Sequence, residues 1–164
     1  MIHAEILPKN GRKIEDADFQ IELKNLDEQG REQEFNVFVK IRPFYDDCIE
    51  NLSKYYEIAV FTAGEQEYAD AILNILDPDG FITQRLYRQH CVCRNDKYYI
   101  KDLRIIEDRK LENIILVDNS IISFAFNLDN GIPCSAFYRW TEEDEEFLYL
   151  HAYLDDVFHE DDVR

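Results

Sequence analysis

The sequence predicts an α/β domain built on a parallel sheet, with an antiparallel β-hairpin inserted into it. Three observations favour this class. Short apolar runs alternate with stretches of helical periodicity, which is typical of strands and helices that follow each other along a chain. Two segments in which apolar and polar residues alternate come first. Polar residues then follow three of the apolar runs, at the edge where open α/β sheets bind their ligands.

The inserted hairpin is predicted within residues 14–42. Residues 19–23 and 35–41 alternate apolar and polar side chains, and residues 25–31 connect them. This pattern predicts one packed face and one face exposed to water. Residues 1–13 have no clear period and are predicted to form a loop.

A helix, a strand and a second helix are predicted next. Residues 43–55 have helical spacing, and Pro43 suits the first position of a helix. Residues 57–62 predict a strand. Thr62 and Glu65 fit a capping box at the start of the following helix. The functional alternative is that the Thr62 hydroxyl and the helix amides face a phosphate.

A second apolar run, residues 114–117, predicts a strand buried on both faces. Asp118 and Asn119 follow it, with a short helix predicted after Ser120. The two polar side chains either cap and turn the chain or act as ligands at the edge of the sheet. Residues 118 and 119 alone do not distinguish these interpretations, and motifs elsewhere in the sequence are needed.

Further elements are predicted from local pattern alone. Residues 98–100 form a short strand that leads into Lys101, which taken by itself is an ordinary surface lysine. Residues 104–111 are predicted to be helical, and residues 137–140 to be an edge strand. Thr141 can cap the last helix.

Length and composition suit one folded domain, 1–164, in a reducing compartment. The chain has 46% hydrophobic residues, no apolar run long enough for a membrane helix, and no signal peptide at its start. Its four cysteines are too few for a disulfide scaffold. His90, Cys91 and Cys93 raise the possibility of zinc, but no second ligand pair follows at a suitable spacing. We therefore expect an intracellular protein, nuclear or cytoplasmic and not secreted.

The net charge of −17 argues against nucleic acid as a direct partner. The charge is unevenly distributed, because residues 85–110 hold eight of the eighteen Lys and Arg residues and only four carboxylates. This basic segment suggests a site for a compact anion, and the alternative is a solvated face of mixed charge.

Three motifs resemble those of the small C-terminal-domain phosphatases, the FCP/SCP or NLI-interacting-factor type of the haloacid dehalogenase superfamily. They are residues 60–63 (VFTA), 99–103 (YIKDL) and 116–120 (LVDNS), in the family's order. The spacing also matches the family, apart from one extra residue between Arg88 and Lys101. Residues 42–43, 88–91 and 161–164 match as well. The resemblance implies a HAD-like Rossmannoid sheet with an inserted hairpin.

The resemblance also implies a function. The family hydrolyses phosphoserine and phosphothreonine in proteins through an aspartyl-phosphate, with Mg²⁺ as cofactor. By similarity, Thr62 and Lys101 hold the phosphoryl oxygens, Arg88 contacts the substrate, and Asp118 and Asn119 serve the metal. The implied partners are phosphoprotein segments, with the RNA polymerase II C-terminal domain as one candidate.

One part of the family pattern is absent. The first motif, D-x-D-x-T, supplies the nucleophile, and this sequence has neither the motif nor the first strand before it. We therefore expect the chain as given to be inactive. It is either a phosphatase domain truncated at its amino terminus or a non-catalytic binding module, comparable to a pseudophosphatase or to the related mitochondrial translocase receptor. A structural domain without a phosphate site is disfavoured by the retained motifs.

Overall fold

The computed structural model describes residues 1–26, 29–141 and 143–164. The chain forms two compact units, which are described separately. The first comprises Met1–Tyr45 and Phe137–Phe147, and the second comprises Asp46–Ala136 and Leu148–Arg164. No helix in the described part of the chain is long and apolar enough to cross a membrane.

The first unit is built on a three-stranded antiparallel sheet. Its strands are β1 (Ile2–Pro8), β2 (Phe19–Leu26) and β3 (Glu32–Ile41), and β3 lies in the centre. The β2–β3 pair is the predicted hairpin, although its connection includes residues 27 and 28, which lie outside the described residues.

Two predictions for this sheet are wrong. Residues 1–13 are not all loop, because β1 pairs along its whole length with residues 35–41 of β3, from Ile2 opposite Ile41 to Pro8 opposite Phe35. β2 pairs with one edge of β3, and the backbone N–H and C=O groups on the other edge also need partners. The local sequence pattern of residues 1–13 does not reveal that they supply these partners. The predicted solvent-exposed face of β3 is also interrupted, since residues 37–39 are all buried.

A buried ion pair joins the two segments of the first unit. Arg42 donates from Nε to Asp144 Oδ1 (2.7 Å) and from Nη2 to Oδ2 (2.8 Å), and both side chains are nearly inaccessible. The rings of Phe137 and Phe147 lie 5.6 and 5.5 Å from the guanidinium carbon. The pair fixes residue 42 just before a helix.

That helix, α1 (Tyr45–Leu52), starts two residues later than predicted. Pro43 is not its first residue, because Phe44 has a φ of 62° and interrupts the helical backbone between them. The hydrophobic spacing of residues 43–55 predicted the helix correctly but neither its start nor its end, which is Leu52 and not residue 55. Only Tyr45 of α1 belongs to the first unit.

Residues 137–140 form a turn and not the predicted edge strand. The turn is closed by Thr141, whose N–H donates to the Tyr138 carbonyl (2.8 Å) and whose hydroxyl accepts from the Tyr138 N–H. The rings of Tyr138 and Trp140 stack at 5.0 Å, and His3 packs edge-on against Trp140. Thr141 caps no helix, because the last helix, α3 (Glu146–Val157), begins after Asp144.

The second unit begins with a parallel β–α–β arrangement. Strands β4 (Ile58–Phe61) and β5 (Ile82–Leu86) pair in parallel, and helix α2 (Gln66–Leu76) connects them. A hydrophobic core lies between helix and strands, formed by Ala69, Leu73, Ile82 and Tyr87, with Ile58 and Val60 packed against it.

A hairpin and a second parallel pair complete the second unit. Strands β6 (Val92–Arg94) and β7 (Tyr98–Ile100) are antiparallel, while β8 (Leu116–Asp118) and β9 (Gly131–Pro133) are parallel. These pairs confirm the predicted α/β class. Among the described residues, no hydrogen-bonded ladder joins β4–β5 to β8–β9.

Local helix predictions in this unit are wrong in detail. Residues 104–111 are not an α-helix. A short 3-10 turn overlaps each end of this stretch, 103–105 at its start and 111–113 at its end. Two apolar side chains of this charged stretch, Ile106 and Leu111, pack against the buried cluster of Leu103, Leu116 and Phe124. Residues 121–124 after β8 are likewise 3-10, and the Ser120 side chain does not cap them.

Candidate functional site

The first part of the candidate site is the loop that follows β4. The Thr62 N–H donates to the Leu86 carbonyl of β5 (2.8 Å), and the Thr62 hydroxyl oxygen accepts from the Gly64 N–H (3.0 Å). The predicted capping box is therefore wrong. Glu65 does occupy the N-cap of α2, but no side-chain hydrogen bond caps this helix. The Thr62 hydroxyl proton has no acceptor among the described groups.

Arg88 forms hydrogen bonds with the backbone of this loop. Its N–H donates to the Gly64 carbonyl (3.0 Å) and its Nε to the Ala63 carbonyl (2.7 Å). The exposed guanidinium also pairs with Glu65 (2.8 Å) and lies 5.4 Å over the ring of Tyr99. Arg88 thus fixes the loop and still presents its charge to solvent.

The second part of the site is an ion pair between Lys101 and Asp118. Lys101 comes directly after β7, and its N–H donates to the Ser123 carbonyl (3.0 Å). Its ammonium donates to Asp118 Oδ2 at the end of β8, and both side chains are about nine-tenths buried. Asp118 Oδ1 accepts from the Ser120 N–H (2.7 Å). A lysine this buried requires an anionic neighbour, so Lys101 is not an ordinary surface lysine.

Two residues that the sequence interpretation did not place in the site connect its parts. The ring centroid of Phe61, next to Thr62, lies 6.0 Å from Lys101 Nζ. The Cys91 thiol lies 3.7 Å from the Thr62 carbonyl oxygen. Burial raises the pKa of the Cys91 thiol, while the positive charges of Lys101 and Arg88 oppose that rise and Asp118 adds to it. Cys91 therefore lies within electrostatic reach of both parts.

The zinc alternative has no support in the described residues. His90 Nδ1 accepts a hydrogen bond from the Tyr87 N–H (2.9 Å), and Cys91 faces the Thr62 carbonyl. Nowhere in the described ranges do three His, Cys, Asp or Glu residues come together as a metal-binding group.

Asp118 and Asn119 fit Mg²⁺ in chemical type. Mg²⁺ prefers hard oxygen ligands and is often held by one or two carboxylates, with waters and phosphate completing six positions. Asp118 supplies a carboxylate, although Lys101 and the Ser120 N–H already contact it. Asn119 is exposed, and its amide has no hydrogen-bond partner among the described residues. The pair could contribute two oxygens to a metal site.

Sequence comparison decides the family. The family model described as NLI interacting factor-like phosphatase matches residues 1–164. The chain belongs to this family. Members among the curated relatives include CTD small phosphatase-like protein 2 of Dictyostelium discoideum, which is 40% identical over 131 residues, and the human CTD small phosphatase-like protein, which is 34% identical over 127 residues.

These relatives are longer proteins. The match covers 80% of this chain and 23% of the Dictyostelium protein, and 77% of this chain and 45% of the human one. The Nuclear envelope morphology protein 1 of Saccharomyces cerevisiae is 35% identical over 141 residues, which are 77% of this chain and 31% of that protein.

Structural comparison confirms the HAD-type fold. The structure of Fcp1, an essential RNA polymerase II CTD phosphatase, superposes with a TM-score of 0.70 at 16% identity, over 85% of this chain and 51% of Fcp1. A fission yeast Fcp1 structure with beryllium fluoride superposes with a TM-score of 0.68 at 16% identity, over 96% and 59% of the two chains. The individual roles of Thr62, Arg88, Lys101, Asp118 and Asn119 stay predictions.

Proposed function

We propose that this chain is the phosphate-binding part of an FCP/SCP-type protein serine/threonine phosphatase domain. The observation that carries the proposal is the buried Lys101–Asp118 pair, which lies close to the loop of Thr62. Its substrate would be a phosphoserine or phosphothreonine segment of a protein. The RNA polymerase II CTD, named for the Fcp1 structures, is one candidate.

The chemistry required of this site is mainly positioning and charge neutralisation. Negative charge spreads over the transferring phosphoryl oxygens, so donors aimed at those oxygens stabilise the transition state. Lys101 provides an ammonium with two N–H groups that have no described acceptor. Thr62 provides a hydroxyl proton beside it, and the exposed Arg88 provides a second cation. These three groups would bind and orient the phosphoryl group.

Asp118 and Asn119 would hold Mg²⁺ if the domain uses it. When bound, the ion would neutralise further charge on the phosphoryl oxygens. Asp118 would then be shared between Lys101 and the metal, and its contact with the Ser120 N–H would keep its orientation.

The nucleophile is what this chain does not supply. The carboxylates nearest its start are engaged elsewhere, in the first unit. Glu5 and Asp16 accept from Arg139, and Asp18 accepts from Lys40 and from the Ile41 N–H. We infer that the chain alone binds a phosphoryl group without turning it over. The second candidate function, a non-catalytic phosphoprotein-binding module, is favoured by the same observation.

The binding function is tested with a phosphopeptide and with inorganic phosphate. We expect Lys101→Ala to weaken binding by roughly tenfold or more, because it removes a charged hydrogen-bond donor. Lys54→Ala is the matched control, since Lys54 is an exposed lysine whose partner is the Asn51 side chain (2.7 Å). Equal effects of the two substitutions in a calorimetric titration would contradict the proposed site.

The chain as given should not hydrolyse an aryl phosphate in the presence of Mg²⁺. Loss of a nucleophile typically lowers the rate by about 10⁴ to 10⁶. A chain extended by an apolar run that ends in Asp-x-Asp-x-Thr should be active and more stable. EDTA-sensitive turnover by the unextended chain would show that another carboxylate acts as the nucleophile.

A further inference from the structure

Arg94 and Lys97 lie together at one hairpin tip and, like Lys13 and Lys54, form no ion pair with a described carboxylate. With 35 Asp and Glu residues against 18 Lys and Arg, a carboxylate is within reach of most cations. Most Lys and Arg side chains do form an ion pair with a described carboxylate. Arg94 and Lys97 form none within the described ranges, although both lie at the tip of one hairpin.

The backbone of that tip is well defined. The turn between β6 and β7 is closed by the Lys97 N–H, which donates to the Arg94 carbonyl (3.2 Å). Asn95 and Asp96 have φ values of 53° and 51°, the left-handed conformation typical of tight hairpin turns. Lys97 Nζ lies 5.3 Å over the ring of Tyr98. Asp96 is the one carboxylate of the turn, and it pairs with neither cation.

The same hairpin is continuous with the phosphate site. Strand β7 runs from Tyr98 to Ile100 directly into Lys101, and the Tyr99 ring carries the Arg88 guanidinium. The chain from Lys97 to Lys101 rises by about 3.3 Å per residue while it is extended, which places the two lysines on the order of 13 Å apart. A peptide lying along β7 covers a similar distance with about three to five of its own residues.

We propose that the tip of the β6–β7 hairpin selects substrates that carry a second anionic side chain about three to five residues from the phosphorylated residue. An acidic residue or a second phosphorylated residue would supply that charge. The inference rests on the proposed function, because it assumes a phosphoryl group at Lys101. Electrostatic complementarity supports it, since an unpaired cation attracts an anionic segment more strongly than a cation that a carboxylate neutralises.

The test uses fluorescent peptides that share a central phosphoserine in a neutral background. One peptide is neutral elsewhere, and others carry Glu or Lys about four residues before or after the phosphoserine. Each is titrated with the whole chain at low and at high salt, and the unphosphorylated versions serve as controls. Exposed ion pairs are weak, so we expect Glu to tighten binding by roughly three- to tenfold at low salt and less at high salt.

The hairpin variants then assign the effect to its residues. Arg94→Ala with Lys97→Ala should abolish the preference for Glu, whereas Lys54→Ala should leave it unchanged. The charge-reversed chain, Arg94→Glu with Lys97→Glu, should prefer the peptide with Lys. All of these positions are exposed, and circular dichroism checks that the variants remain folded.

Two failures are distinguishable. Equal affinity for the Glu and neutral phosphopeptides, or a preference that survives in the double alanine variant, overturns this inference while phosphate-dependent binding through Lys101 still stands. Binding that does not depend on phosphorylation, or that Lys101→Ala does not weaken, overturns the proposed function and the inference together.

Discussion

Two buried ion pairs in this protein have similar composition and different uses. Arg42 and Asp144 in the first unit contact each other through two nitrogens and both carboxylate oxygens, and two aromatic rings lie near the guanidinium. Lys101 and Asp118 in the second unit contact each other through a single carboxylate oxygen. All four side chains are largely buried.

The two pairs differ in how many hydrogen-bond donors of the cation remain available after the ion pair has formed. The guanidinium of Arg42 matches its carboxylate in shape, as a bidentate pair does, and aromatic rings lie against it. The ammonium of Lys101 has three N–H groups and one described partner, and it lies beside the Phe61–Thr62 segment. We call Arg42–Asp144 the closed pair, because its hydrogen bonds join two segments of the chain. Lys101–Asp118 is the open pair, because its ammonium has N–H groups that can bind a ligand.

The largest expected effect on stability is that of breaking the closed pair. Arg42→Met leaves Asp144 buried without its cation, which typically lowers the free energy of unfolding by about 3–5 kcal/mol. Urea unfolding of the variant measures the loss. Arg12→Met is the control, since the Arg12 side chain is 72% exposed. A similar small change in both variants would show that the Arg42–Asp144 pair does not stabilise the first unit.

Breaking the open pair should affect binding more than stability. Lys101→Met should lower the free energy of unfolding by about 1–3 kcal/mol, because a buried hydrogen bond is lost. The loss should be smaller than for Arg42→Met, since one hydrogen bond to the carboxylate is removed instead of two. Phosphate binding should fall below detection in calorimetry. A stability loss as large as that of Arg42→Met, with phosphate binding intact, would reverse the roles assigned to the two pairs.

Thiol reactivity gives the smallest and most local readout of the open pair. The thiolate is the nucleophile, and burial raises the pKa of Cys91, so iodoacetamide should modify it more slowly than the exposed Cys93 near pH 8. Cys48 should react last, because burial raises its pKa to about 11. The rate at Cys91 should rise with pH and fall when phosphate is added.

Peptide mass spectrometry of the alkylated chain follows each thiol separately. Cys93 acts as the internal reference, since it is exposed and lies in β6, two residues after Cys91. A Cys91 rate that does not respond to phosphate would place the bound anion away from the Lys101–Asp118 pair.

The sequence was most informative where a residue follows a short apolar run. Thr62, Lys101 and Asp118 were predicted at strand ends, and the structure places each there, after β4, after β7 and at the end of β8. The apolar run identifies the strand, and the strand fixes the position of the polar residue that ends it. The parallel pairing of β4 and β8 with β5 and β9 follows from the same alternation of elements.

Long-range partners were what the local pattern could not supply. β1 forms because β3 has an edge to pair with, and that edge is more than thirty residues away, as the pairing of Ile2 with Ile41 shows. Cys91 belongs to the site because it lies near residues 62 and 101, which are distant in the sequence. The local sequence shows only its spacing to His90 and Cys93, and that spacing suggested zinc. That Arg94 and Lys97 pair with no carboxylate in the described ranges likewise depends on where each described carboxylate lies, which local pattern does not give.

The stacked aromatic pair at the end of the first unit has a practical consequence for spectroscopy. Trp140 is the single tryptophan of the chain, it belongs to the first unit, and its ring contacts Tyr138 and His3. Its emission therefore reports on the surroundings of Trp140 within the first unit. Fluorescence and far-ultraviolet dichroism, recorded in one urea titration, would separate the melting of the two units wherever their curves diverge.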